Sequence, residues 1–169
     1  MTASAVAARQ ELDPQHAEVV AATLPLIGSR IDDITTAFYS RLFTNHPDLL
    51  RNLFNRGNQA QGAQQRALAA SIATFATFLV DPNLPHPAEL LLRIGHKHAS
   101  LGITADKYPI VYEHLFAAIV EVLGADTVTD EVAQAWARVY WIMADTLIAM
   151  ARSMRTPVSP MATSSAGCR

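Results

Sequence analysis

Cysteine is nearly absent. The 169-residue chain holds one, Cys168, beside its last residue. An internal disulfide is therefore impossible, as is a zinc site built on cysteines. Such usage fits a reducing compartment, and a cytoplasmic location is expected. Glycine and proline are also few, at 7 and 9, which argues against a disordered or fibrous chain. Charged residues make up 17%, below the usual quarter or so. With a formal net charge of -2, there is no basic footprint for nucleic acid and no Lys/Arg cluster for an anionic membrane. Long apolar runs are missing too. The longest, "WARVYWIMADTLIAMA", is interrupted by Arg138 and Asp145, whereas a spanning helix needs about 20 mostly apolar residues. The start, "MTASAVAARQELD", lacks the apolar centre of a signal peptide. Neither nucleic acid nor membrane insertion is expected.

What is present is helical periodicity. Half of the residues are hydrophobic, enough for a sizeable core in one domain. No sustained two-residue alternation and no Asn-Gly or Asp-Gly turn marks a strand, so the fold class is all-α. A first helix opens at Asp13, with Pro14 at its first position, and runs to about Ile27. A second covers about Ser29 to Phe43 on the line Ile31, Ile34, Phe38 and Leu42. Pro47 opens a short "PDLLRNLF" helix. The next covers about Ala63 to Leu79, on Leu68, Ile72, Phe75 and Leu79. After the proline-broken "DPNLPHP", a helix runs from about Ala88 to Ser100. Thr104 caps another, on Tyr108, Val111, Leu115, Ile119 and Val122. Thr129 caps the last, on Val132, Trp136, Val139, Met143, Leu147 and Met150. Residues 1–12 read as a flexible start, 13–154 as the folded domain and 155–169 as a disordered tail.

The stretch "GHKHASLGI" holds two of the six histidines. Helical residues two apart point roughly 200° apart, so His96 and His98 cannot face one point. Leu91, Ile94, His98 and Leu101 share an apolar stripe, while His96 falls on the polar face beside Arg93. A buried imidazole needs partners for its nitrogens, and a core histidine bonded to backbone or side chain is one reading. The other is a ligand. One histidine cannot build a zinc site, and no HExxH or carboxylate cluster accompanies it. A single axial histidine does suffice for haem, which would be held non-covalently because no Cys-x-x-Cys-His exists. Gln64 stands one turn before Leu68 on the apolar line of its helix, as either an ordinary first-turn polar residue or a ligand-facing amide. Tyr39 lies beside the stripe of the second helix, as either a core tyrosine with a satisfied hydroxyl or a donor into a pocket. Phe54 reads plainly as a helix-end hydrophobe.

Taken together, "FYSRLF", "NLFN", "QQRAL", "KHASLGI", "YPIVYEHL" and "AWARVY" resemble, in order and spacing, the globin domain of bacterial flavohaemoglobins and single-domain bacterial haemoglobins. The resemblance covers roughly Pro14 to Ala149. It implies a globin fold around non-covalent haem b, iron protoporphyrin IX, with helices packed about the cofactor. It makes His98 the proximal iron ligand, Tyr39 and Gln64 the distal hydrogen-bonding pair, and Leu68 the leucine above the iron. Phe54 becomes the phenylalanine packed on the porphyrin, and Tyr108 the proximal-side tyrosine. The family's proximal glutamate falls here on Ala151. The carboxylate that would enrich His98 is thus missing, which counts against peroxidase-like chemistry.

The resemblance implies reversible binding of O₂, with CO and NO as further ligands, in oxygen transport or storage. The alternatives are a nitric oxide dioxygenase and a haem-based gas or redox sensor. No residue is assigned as catalytic beyond the distal candidates Tyr39 and Gln64. The sequence has no G-x-G-x-x-G signature, so turnover is expected to need a separate flavin reductase. Related globins can be dimeric, but no interface signature stands out.

Overall fold

The computed structural model describes residues 12–49, 60–81 and 83–155. Among the described residues there are seven helices and no strand: α1 Pro14–Ser29, α2 Ile31–Asn45, α3 Pro47–Leu49, α4 Ala60–Val80, α5 Ala88–Ser100, α6 Lys107–Leu123 and α7 Asp130–Arg155. No helix among them is long and apolar enough to cross a membrane.

Local chemistry sets the helix ends. Asp13 caps α1, its carboxylate accepting the His16 N–H at 3.0 Å, with Pro14 where a missing N–H costs nothing. The helix continues past the expected stop at Ile27 to Ser29, and Arg30 ends it. Arg30 forms a one-residue turn into α2, which carries Asp32 and Asp33 in its first turn, where acidic residues suit the helix dipole. Thr129 caps α7 loosely, its hydroxyl accepting the Val132 N–H at 3.4 Å. The sequence predicts Thr104 as the cap of α6, and this is corrected. The helix starts at Lys107 with Asp106 in the cap position. The Thr104 hydroxyl is engaged by the Asp106 carboxylate, and its carbonyl accepts the Lys107 N–H at 3.0 Å. Those bonds make residues 104–107 a turn ahead of the helix.

Burial follows the helical period. α2 buries Ile34, Phe38 and Leu42 on one line, with Thr35 and Tyr39 beside it. α7 buries Trp136, Val139, Leu147 and Ala151 among others. At about 1.5 Å per residue its 26 residues reach about 39 Å across the molecule. It packs on α1, α4 and α5, while α2 packs on α6 and α4. The Trp136 indole N–H donates to Thr23 Oγ1 at 2.8 Å, and that hydroxyl donates to the Val19 carbonyl at 2.7 Å. The buried indole of α7 is therefore satisfied by α1. Leu12 is buried with the core, and Arg155 is the last residue of α7.

Candidate functional site

The end of α5 is fixed by the residues that follow it, Leu101 to Ile103. The Ile103 N–H bonds the His98 carbonyl at 2.9 Å, and the Gly102 N–H bonds the Ala99 carbonyl at 3.1 Å. This paired closure needs a left-handed residue after the cap, and Gly102, at φ +69°, supplies it. At the other end of the helix Leu91 is fully buried, a contribution of roughly 1.5–3 kcal/mol for a leucine side chain. The turn of α5 that carries His98 is thus held on both sides.

Helical phase separates the two histidines as their spacing predicts: His96 is exposed and His98 is half-buried. His98 Nδ1 lies 3.0 Å from the Tyr108 hydroxyl. The Tyr140 hydroxyl donates in turn to the Tyr108 backbone carbonyl at 2.7 Å. One imidazole on α5 is thereby tied to the first turn of α6, and that turn to α7. Burial, followed by the Lys97 charge, holds the His98 pKa below its ordinary value, favouring the neutral ring that metal ligation requires. With Nδ1 taken by Tyr108, Nε2 is the nitrogen available to a ligand. Among the described residues, no carboxylate is one of the groups acting on His98. Ala151, where the resemblance puts one, is a buried alanine whose carbonyl accepts from Arg155 Nε at 3.1 Å.

His98 lines an apolar cavity of about 250 Å³. Tyr39, Leu68 and Tyr108 line it too, with Ile34, Phe38 and Val139 among the aliphatic and aromatic walls. Three helices besides α5 therefore bring sequence-predicted residues to one space. Tyr39 packs against Phe38 at 4.8 Å and Phe43 at 5.5 Å between ring centroids. Burial pushes its hydroxyl up to about 12, and that of Tyr108 also to about 12, so both stay protonated donors at neutral pH. Gln64 stands on α4 one turn before Leu68, but its side chain lies outside the described residues, as does Phe54 altogether.

Among the lining residues that the sequence pattern does not single out are Lys97, Lys107 and Tyr140. Tyr140 had a signal, since it follows Trp136 by one turn of α7. The two lysines had none, because their approach depends on how the ends of α5 and α6 meet. Lys97 places positive charge beside a largely apolar cavity, and the Lys107 ammonium is paired there with the Asp106 carboxylate at 2.7 Å. The donor set fits haem: a neutral imidazole whose Nε2 faces a ligand, an apolar wall for the macrocycle, and the Lys97 cation suited to its carboxylates. Among the described residues no cluster of three or more His, Cys, Asp or Glu offers a bare metal site.

Comparison with known proteins agrees with this geometry. The Globin family profile matches residues 36–147. The chain is 43% identical over 143 residues to the flavohemoprotein of Chromobacterium violaceum, and equally so to that of Bordetella pertussis. Those matches cover 85% of this chain and 34–35% of the relatives, so it spans about a third of their length. Among solved structures it is similar to the flavohemoglobin of Malassezia yamatoensis with bound FAD and heme, at TM-score 0.78 and 43% identity, over 85% of this chain and 37% of that one. A bacterial globin from Campylobacter jejuni matches at TM-score 0.72 and 25% identity, over 83% of this chain and 96% of its own. An engineered carbene transferase from Rhodothermus marinus matches at TM-score 0.74 and 29% identity, over 85% and 95%. With its all-helical architecture, its cavity under a tethered histidine and this match across two-thirds of its length, the chain belongs to the globin family.

Proposed function

We propose that this globin binds haem b non-covalently, through His98, and reversibly binds O₂, with CO and NO as further ligands. The observation that carries the reading is the His98–Tyr108 pair at 3.0 Å beneath an apolar cavity that Tyr39 also lines. When bound, haem supplies an iron with an open position for a diatomic gas. The chain's own residues do the rest. The His98 Nδ1–H donates a hydrogen bond to the Tyr108 hydroxyl oxygen, in the tautomer that leaves Nε2 for the iron. Lys97 offers a cation to the haem carboxylates, while the Lys107 ammonium is paired with the Asp106 carboxylate at 2.7 Å. The Tyr39 hydroxyl, kept protonated by burial, donates to a ligand oxygen that carries partial negative charge. Gln64 is the second donor of that pair. Leu68 limits room beside the ligand and excludes water, slowing proton-assisted oxidation. A cytoplasmic setting accords with the single cysteine.

A second reading, nitric oxide dioxygenation with a separate flavin reductase, is favoured by the 43% identity to flavohemoproteins. Ala151, a buried alanine where the family resemblance puts a carboxylate, counts against it. One assay separates the two. The haem-loaded protein is supplied with O₂, NO, NADH and a generic flavin reductase, and NO loss is followed with an electrode. The carrier reading predicts one equivalent of NO consumed per haem, without turnover. Sustained conversion of NO to nitrate would replace it with the enzyme reading.

A further inference from the structure

Where α2 ends against α6, two histidines meet. His46 closes α2, its N–H bonding the Leu42 carbonyl at 2.8 Å, and its own carbonyl accepts the Leu49 N–H of α3 at 3.0 Å. Its ring lies edge-on to that of His114, 5.1 Å between centroids at 72°. His46 is half-buried, whereas His114 is buried at 7% exposure. His114 Nε2 is shut off from solvent and has no hydrogen-bond partner among the described residues. The pair is in register with the pocket. Tyr39, Phe43 and His46 follow one another at four and three residues along one face of α2 to its cap, and Tyr39 packs on Phe43 at 5.5 Å.

We propose that His46 and His114 form an acid-sensitive latch between α2 and α6. Neutral, the two rings pack together and hold the Tyr39 hydroxyl against bound O₂. Protonated, they part the end of α2 from α6, withdraw that hydroxyl and speed the release of O₂. The proposal rests on the O₂-binding reading above. His46 is tied through its backbone to both α2 and α3, and Pro47 behind it fixes the chain direction. A shift at this end therefore passes to the turns of α2 that carry Phe43 and Tyr39.

The surroundings of the pair set the direction. Burial first, and then the neighbouring His46, hold the His114 pKa below its ordinary 6.5. Glu113, exposed on α6, acts the other way. Arg41 of α2, paired with Glu121 of α6 at 2.7 Å, adds to the lowering. Asp48 of α3 is exposed and follows His46 by two residues. Among the described residues no group of α7 acts on His114. The closed contact thus refuses a proton that a ring in water accepts, so falling pH favours the parted arrangement. For one proton bound in the parted arrangement alone, the balance moves about tenfold between pH 7.5 and 5.5.

The test mixes haem-loaded, O₂-bound protein with CO in a stopped-flow instrument at pH 7.5 and 5.5. Wild-type O₂ release is expected to be roughly three- to tenfold faster at pH 5.5. In the His46→Gln/His114→Gln double variant, whose amides do not titrate, most of that acceleration is lost. His46→Gln alone changes only the half-buried ring, keeps the fold testable and is expected to shrink the effect as well. Tyr39→Phe separates a latch from general acid loosening, because without the hydroxyl the two pH values should give one rate. Equal wild-type rates at both pH values, full acceleration in the glutamine variants, or acceleration that persists in Tyr39→Phe would each overturn the latch. A wild-type sample at pH 7.5 with no haem band, or with a haem band and no O₂ complex, would instead overturn the O₂-binding reading, and the latch with it.

Discussion

Replacing Tyr39 by phenylalanine removes one hydroxyl and leaves the ring. The ring packs against Phe38 and Phe43 at 4.8 and 5.5 Å, contacts that do not use the oxygen, so the fold should persist. The hydroxyl is buried, and desolvation holds its pKa at about 12, so at pH 7 it is a donor and never a phenolate. Its hydrogen bond to a partly charged ligand oxygen is of the charge-assisted kind, worth about 1.5–3 kcal/mol. At 1.4 kcal/mol per factor of ten, that is roughly a 10- to 150-fold faster loss of O₂. Retention of Gln64 would place the result toward the lower end. Stopped-flow displacement of O₂ by CO measures the rate. Carbon monoxide carries little charge on its oxygen, so its own dissociation should change far less, and this contrast separates lost hydrogen bonding from a general loosening of the cavity. An O₂ dissociation rate within about twofold of wild type, a difference of about 0.4 kcal/mol, would refute a distal donor role for Tyr39.

Three further outcomes follow from the backbone and the buried charges. Gly102→Ala forces a side chain onto φ +69° with nothing within 4 Å to clash, so the penalty is backbone strain alone, about 1–2 kcal/mol in urea unfolding; an unchanged midpoint would contradict it. Gly95→Ala should do the reverse. The added Cβ would meet Met150 and Met154 at an ordinary 3.8 Å and gain up to ~1 kcal/mol of helix propensity; a loss of stability would show that the approach of α5 to α7 is tighter than this. His114 is buried, with no partner for Nε2 among the described residues, and its pKa is lowered by burial first and then by His46. Below the ordinary value of 6.5 the unfolded chain takes up a proton that the folded state refuses, so stability present above pH 6.5 is lost as pH falls. Unfolding free energies measured from pH 7.5 to 5.5 should decline less steeply in His114→Gln, and an equal slope would remove His114 from the acid response.

Much of this arrangement was legible as periodicity. The phase of α5 alone sent His98 inward and His96 outward, because 100° per residue is a local property that packing does not overturn. The stripe of α2 carried Tyr39 to the cavity in the same way. Thr104 falls short of the α6 cap because residues 104–107 close as a separate turn, the Lys107 N–H bonding the Thr104 carbonyl, before the helix begins. Lys97 and Lys107 reach the cavity only through the meeting of two helix ends, and His114 is buried only because α2 and α6 pack together and bring His46 within 5.1 Å of its ring. Those are tertiary facts without a sequence period. The choice of haem over a satisfied core histidine also came from family resemblance, since spacing left both open.

The central claim is that His98 holds haem iron, and a haem titration followed by absorbance tests it most directly. The account predicts an intense Soret band that saturates at one haem per chain. In His98→Ala that band should be weakened and shifted, then restored toward the wild-type position by added imidazole, which replaces the missing ligand. A His98→Ala spectrum identical to wild type would contradict the account.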